Sequence, residues 1–175
     1  IEYLGGGDMT EGSCSSLAFA YAGNRAGYDV LDFRGGDSRT YFSHNDSIQL
    51  IAELPDVKSC IISGRNDIAC TNQLLEKMDP GKEYYLATAQ HAAIVRTTET
   101  GFEYLELQDP NSNGWHRLDN VTLFARFGCR LHVKEWPNYL IEVDSLTKND
   151  EFLNILGFIN TADSDQRKGG SGHVR

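Results

Sequence analysis

Residues 83–107 read EYYLATAQHAAIVRTTETGFEYLEL, and this stretch decides the fold. It contains three β-prone runs, at residues 83–88, 91–97 and 101–107, which are rich in Tyr, Val, Ile and Phe and are separated by short turns. Connections this short can join only antiparallel neighbours. The stretch therefore predicts an antiparallel meander. A fourth run at residues 115–118 follows in the same sheet, and we expect residues 131–136 and 139–143 to extend it.

Helical patterns come before this stretch. Leu17, Ala18, Tyr21 and Ala22 recur at helical spacing and predict a helix over residues 14–26, which Gly27 ends. Two further helices are predicted at residues 47–54 and 68–78, a short strand at residues 28–33, and a helix-compatible apolar stretch at residues 144–160. The order predicts an α+β fold in which N-terminal helices pack on an antiparallel sheet.

Length and composition are those of one globular domain. The chain has 175 residues, of which 40% are hydrophobic and 23% charged, so it can build a single core. We assign this domain to residues 1–160 and expect the polar residues 161–175 to be disordered. From the start at Ile1 and the polar end, we expect a domain cut from a longer polypeptide.

Charge and hydropathy exclude two classes of partner. The formal charge of −9 argues against nucleic acid, since binding to phosphates depends on Lys and Arg. No apolar run reaches the roughly 20 residues that span a bilayer, so no membrane partner is expected. The four cysteines are too few and too irregularly spaced for a disulfide framework, and we expect free thiols.

Cys14 stands where the first helix begins, among small polar residues rather than inside the apolar run. Unpaired backbone N–H groups and the helix dipole at such a position favour the thiolate and lower the pKa of a cysteine. The same N–H groups can hold an oxyanion after attack on a carbonyl. Cys14 is therefore a candidate nucleophile, with Gly12 and Ser13 as small neighbours that admit a substrate.

A nucleophilic cysteine needs a base, and His91 is the best candidate among the five histidines because it opens the run HAAIV after polar residues. We expect it to hold the proton as imidazolium beside the thiolate. Gln90, directly before it, is a candidate substrate-binding residue. Asp109 lies at the end of the following strand, about level with His91, where a carboxylate would orient the ring. The order Cys14, His91, Asp109 predicts a catalytic triad.

The run GSCSSLAFAYAGNRAGYDV at residues 12–30, with the later HAAIV and LELQDPN, resembles papain-fold toxin domains over residues 10–118. Ser13 and Asn111 stand where that family often has Asn and Gln. The resemblance implies a papain-like fold. It also implies deamidation of a glutamine in a target-cell protein, and a cognate immunity protein as a further partner. Such domains are C-terminal parts of secreted bacterial toxins that act in the target-cell cytoplasm. The thiol supplies the covalent chemistry, so neither a metal nor an organic cofactor is expected.

Several alternatives stay open from the residues alone. The same triad could cleave a main-chain amide, which would make the domain a cysteine protease, or transfer the acyl group to an amine, as transglutaminases do. The acidic surface could instead belong to a non-catalytic module that binds a basic partner. The spacing of Cys129 and His132, with Cys60 and Cys70, also permits a zinc site, although core packing explains these cysteines adequately.

Overall fold

The computed structural model describes residues 14–28, 30, 41–109 and 111–160. In these residues the strands are β1 (Ser59–Gly64), β2 (Glu83–Thr88), β3 (His91–Thr98), β4 (Gly101–Glu106), β5 (Gly114–Leu118) and β6 (Trp136–Glu142). The helices are α1 (Cys14–Arg25), α2 (Asn45–Ala52), α3 (Asp67–Leu75), α4 (Asn120–Ala125), α5 (Val143–Leu146) and α6 (Asp150–Asn160). The fold is α+β, as the sequence predicts.

The strands form one antiparallel sheet in the order β1-β6-β2-β3-β4-β5. Strands β2 to β5 follow one another along the sheet, which confirms the predicted meander. The chain then returns past β5, and β6 inserts between β1 and β2. The strand expected at residues 131–136 is absent except for Trp136, which is the first residue of β6.

Alternate residues of each central strand enter two different cores. Tyr85, Ile94 and Leu105 face a cluster that contains the apolar side of α1, which we call the first core. Leu86, Val95 and Tyr104 face the opposite cluster, which contains α3 and Phe127 and which we call the second core. This division follows from the twofold period of side chains along a strand.

Helices cover both faces of the sheet. The N-terminal helices α1 and α2, with α6, pack on the first core, as expected for helices that precede the sheet. Helix α3 packs on β1 and β6 from the other side and builds the second core with α4. The predicted packing of N-terminal helices on the sheet therefore uses both of its faces, because the buried residues Leu74 and Leu75 of α3 belong to the second core.

Two elements were not predicted. Strand β1 is the short run SCIISG, and its ladder partner β6 lies far away in the sequence. Helix α4 begins after Asp119, whose carboxylate accepts a hydrogen bond from the Thr122 N–H at 3.0 Å. The predicted strand at residues 28–33 and the polar tail at residues 161–175 fall largely or wholly outside the described residues.

Candidate functional site

Helix α1 begins at Cys14 and is anchored on the sheet by its first two turns. The Ser15 hydroxyl and the Tyr85 hydroxyl of β2 are hydrogen-bonded at 2.8 Å. One turn later, the ring of Phe19 stacks on the ring of Tyr85 with centroids 4.3 Å apart, and neither side chain is exposed. These contacts fix where the start of α1 meets the sheet, and hence where the Cys14 sulfur lies.

The sulfur of Cys14 lies among donors that favour its anion. The backbone N–H groups of Ser15 and Ala92, the Ser15 hydroxyl and the positive charge of Arg126 all lower the pKa of the thiol. Burial acts in the opposite direction and is the largest effect, so the pKa of Cys14 is raised above its ordinary value. The expectation of a lowered pKa is therefore wrong for the free protein, because the first core removes water from the sulfur.

A cleft of about 570 Å³ opens beside Cys14 at the ends of the central strands. One wall comes from the segment 42–48, which includes His44, Asp46 and the start of α2. The opposite wall is the β2–β3 hairpin together with the first residues of β6, including Trp136. Cys14, Gln90 and His91 all line this cleft, so the structure brings three of the predicted site residues to one cavity.

A two-residue turn sets His91 at the edge of this cleft. Thr88 and His91 are paired across the β2–β3 ladder, and Ala89 between them has a φ of 50°. The left-handed region costs a residue with a Cβ roughly 1–2 kcal/mol. The Gln90 N–H donates to the Phe127 carbonyl at 3.0 Å, and this bond ties the turn to the segment after α4. The β2–β3 hairpin is thus held in place by a residue of the second core, Phe127.

A buried polar network supports the hairpin from below. The Thr88 hydroxyl donates to the Asn138 side-chain oxygen at 2.7 Å and is hydrogen-bonded to the Thr71 hydroxyl of α3 at 2.8 Å. The amide nitrogen of Asn138 in turn donates to the Ile62 carbonyl of β1 at 3.1 Å. All three side chains are buried, so the end of β2 is held rigidly against β6 and α3.

The imidazole of His91 is buried against the second core. Its ring packs edge-on to Phe127 with centroids 4.9 Å apart, and 8% of the residue is exposed. Burial, and next the positive charge of Arg126, lower the pKa of His91 to about 3, while the Glu106 carboxylate opposes them. His91 is therefore neutral at physiological pH. The free site holds a thiol and a neutral imidazole, in place of the expected ion pair.

Cys14 and His91 reach the cleft from opposite faces of β3. The sulfur lies beside the N–H of Ala92, whose side chain enters the first core, whereas the ring of His91 points to the second core. Among the hydrogen bonds and electrostatic interactions of the described residues, none joins this sulfur to this ring. A reaction that uses both therefore requires the sulfur and the ring to approach each other at the cleft that both residues line.

Asp109 bonds within its own loop. Its carboxylate accepts hydrogen bonds from the Asn111 N–H at 2.9 Å and from the Ser112 hydroxyl at 2.8 Å. The β3–β4 ladder ends at the pair Ile94 and Leu105 and β4 ends at Glu106, so Asp109 lies beyond the paired part of the strand. The Asp109 carboxylate also interacts electrostatically with Arg126 and with Tyr104. Its predicted role as the ring-orienting acid stays a prediction without a supporting contact.

Of the remaining predicted site residues, the structure describes only Gln90. Gly12 and Ser13 lie outside the described residues. Gln90 is exposed at the cleft, and its side chain packs so closely over Gly128 that an added Cβ there would come within 3.1 Å of it. Gln90 therefore stays a candidate for substrate contact.

Sequence reasoning missed the buried ion pair beside His91. Arg126 binds both carboxylate oxygens of Glu106, through Nε at 2.6 Å and Nη2 at 3.0 Å, and Glu106 is 2% exposed. Arg126 also donates to the Gln108 side-chain oxygen at 2.9 Å. A charged residue on the core side of a β-strand was the available signal, since Glu106 interrupts the apolar alternation of residues 104–107.

The cysteines outside the cleft do not form a metal centre in the described part of the chain. All four thiols are free, Cys70 and Cys129 are buried, and the Cys129 sulfur is hydrogen-bonded to the Thr88 hydroxyl at 3.6 Å. No group of three His, Cys, Asp or Glu side chains among the described residues is arranged to hold a metal ion. The zinc alternative therefore gains no support from the structure.

Comparison with known proteins returns no relative. No family model, curated protein or solved structure matches this chain. Within the described residues, no helix is long and apolar enough to cross a membrane.

Proposed function

We propose that this chain is a papain-like, cysteine-dependent amidohydrolase that deamidates a glutamine side chain of a protein. One observation carries the proposal. The Cys14 sulfur faces a cleft at the start of a helix, with the N–H groups of Ser15 and Ala92 directed at it, and His91 borders the same cleft. These N–H groups come from two different elements, as in an oxyanion site that is assembled by the fold.

The chemistry needs no group beyond the chain and water. His91, neutral in the free protein, takes the thiol proton while the sulfur forms a bond to the carboxamide carbon. The imidazolium then gives that proton to the departing nitrogen, ammonia leaves, and a thioester remains. Water attacks the thioester with His91 as base, the C–S bond breaks, and a glutamate and the free thiol result.

Burial makes this a general-base mechanism rather than one that starts from a preformed thiolate. A raised pKa of Cys14 and a lowered pKa of His91 both favour the neutral pair at rest. Substrate must then supply the free energy that brings the ring towards the sulfur. A carboxamide in the cleft would supply this free energy, because its oxygen would accept hydrogen bonds from the N–H groups of Ser15 and Ala92 as the thiol is deprotonated.

The biological setting follows from the motif resemblance. We propose that the domain belongs to a secreted bacterial toxin, acts on a protein in the cytoplasm of the recipient cell, and is neutralised by a cognate immunity protein. The size of the cleft supports a side chain or a short peptide segment as substrate, because cavities of roughly 300–1,000 Å³ accommodate ligands of that size.

Mass spectrometry of a susceptible cell's proteome tests the proposal. Cells that produce the wild type should contain glutamine-to-glutamate conversions that are absent with Cys14→Ala, a loss of about 10⁴-fold or more for a nucleophile. Cys60→Ala is the matched control, since it removes a half-buried thiol of β1 outside the cleft and should leave the conversions intact. New peptide ends would instead indicate a protease, and an unchanged proteome would indicate a binding module.

A further inference from the structure

Glu106 shares a face of the sheet with His91. In the continued β3–β4 register Glu106 pairs with Ala93, two residues after His91, so its side chain is the diagonal neighbour of the imidazole on the second-core face. Diagonal neighbours in a sheet lie about 7–8 Å apart, which long side chains can bridge. Glu106 acts electrostatically on His91, and His91 acts on Glu106 in return.

The carboxylate of Glu106 is held in one orientation. Arg126 binds both of its oxygens, and the Gln108 N–H donates to Oε1 at 2.9 Å. These donors keep a nearly inaccessible carboxylate ionised, because they lower the pKa of Glu106 against the effect of burial. Burying such a charge costs desolvation free energy, and removing one of its partners strongly destabilises the fold because the charge is left uncompensated.

Arg126 connects this carboxylate to both proposed reacting residues. Its charge lowers the pKa of Cys14 and of His91, and it lies at the end of α4, next to the Phe127 ring that packs on His91. Two further titratable side chains interact with this cluster: the Tyr104 phenol of β4 acts on Arg126, and the Asp109 carboxylate interacts with both Arg126 and Tyr104. The cluster thus joins β3, β4 and the segment after α4.

We propose that Glu106, and not Asp109, is the positioning carboxylate for His91, and that Arg126 holds it ready beside the imidazole. This inference rests on the proposed function, in which His91 becomes an imidazolium during the reaction. The carboxylate stabilises that imidazolium once the ring is charged, whereas the Arg126 charge keeps the ring neutral at rest. Asp109 does not suit this role, since Asn111 and Ser112 occupy its oxygens on an accessible loop.

NMR titration of the His91 ring tests the proposal without an activity assay. Arg126→Gln removes the cation and leaves Glu106 facing the ring, so the pKa of His91 should rise by about 1–3. Adding Glu106→Gln should cancel most of that rise. Adding Asp109→Asn in its place should leave the rise unchanged. If the aspartate variant cancels the rise and the glutamate variant does not, the proposal is overturned.

Arg126→Lys covers the case in which Arg126→Gln does not fold. Lysine keeps one positive charge but cannot bind both oxygens of Glu106, so a smaller rise in the pKa of His91 is expected, again cancelled by Glu106→Gln. An unchanged pKa in Arg126→Lys, or a rise that Glu106→Gln leaves in place, would contradict the proposal.

Kinetics then separate this proposal from the proposed function. In the deamidation assay Glu106→Gln should lower kcat by at least about 10-fold with little change in KM, because it acts only on the charged ring. Glu103→Gln is the matched control, since it breaks the Arg96–Glu103 pair of the same two strands, away from His91. Equal losses in both variants would contradict a specific role for Glu106. An inactive wild type would contradict the proposed function, while the NMR result would still stand.

Discussion

The buried, neutral state of His91 makes the stability of the fold depend on pH in a defined window. An unfolded histidine titrates near pH 6.5, whereas the pKa of His91 in the fold is lowered to about 3. Below about pH 6.5 His91 binds a proton in the unfolded chain and stays unprotonated in the folded chain. The free energy of unfolding therefore falls as the pH drops from 6.5 towards 3. Above that window the contribution of His91 is constant.

The magnitude follows from the two pKa values. Between pH 8 and pH 5 the unfolded imidazole becomes almost fully protonated and the buried one does not, which costs about 2 kcal/mol of unfolding free energy. For a chain of this size, 1 kcal/mol corresponds to roughly 2–4 °C in Tm, so His91 alone should lower Tm by about 4–8 °C. Carboxylates elsewhere add their own pH dependence, and a variant must isolate the histidine.

His91→Phe provides that comparison, because a phenyl ring keeps the contact with Phe127 and cannot be protonated. Urea unfolding of wild type and variant at pH 5, 6, 7 and 8 should show the loss of stability on acidification reduced by about 2 kcal/mol in the variant. Parallel curves for wild type and His91→Phe would refute the burial of a neutral His91.

Two further changes test how the site is held. Phe19→Ala deletes the ring that stacks on Tyr85 and should destabilise the fold by about 3–5 kcal/mol. Thermal unfolding should show a fall in Tm of roughly 6–20 °C. A fall under about 3 °C would contradict the packing of α1 on β2. Asn66→Ala removes the side-chain cap of α3, whose oxygen accepts the Ala69 N–H at 2.9 Å, and should cost about 1 kcal/mol in chemical denaturation, with no loss contradicting the cap.

The sequence was sufficient for elements whose signals are local. Strands β2 to β5 followed from β-prone runs between short turns, and α1 from apolar spacing that ends at Gly27. Strand β1 was missed because its six residues form a strand only by pairing with β6, which lies far along the chain. Similarly, the side of the sheet that α3 covers depends on which face of β2 and β6 remains open.

The site was predictable in its composition and not in its geometry. Cys14 and His91 line one cleft, as the positions of a helix start and a strand start suggested. Strand β4 ends at Glu106, three residues before Asp109, and the local sequence cannot fix the register of a ladder or the residue at which it ends. The raised pKa of Cys14 likewise depends on burial by the first core, which no local pattern reveals.

Alkylation with iodoacetamide tests the central claim, that Cys14 is the nucleophile served by His91, most directly. The reagent carries a carboxamide, as the proposed substrate does, and peptide mapping resolves all four thiols. The raised pKa of Cys14 alone would make its alkylation slow, although Cys14 and Cys60 are both half-buried. We predict that Cys14 is labelled first near neutral pH and that His91→Ala slows its labelling at least about 10-fold. The account would be contradicted if Cys60 were labelled before Cys14 and if His91→Ala left the labelling rate of Cys14 unchanged.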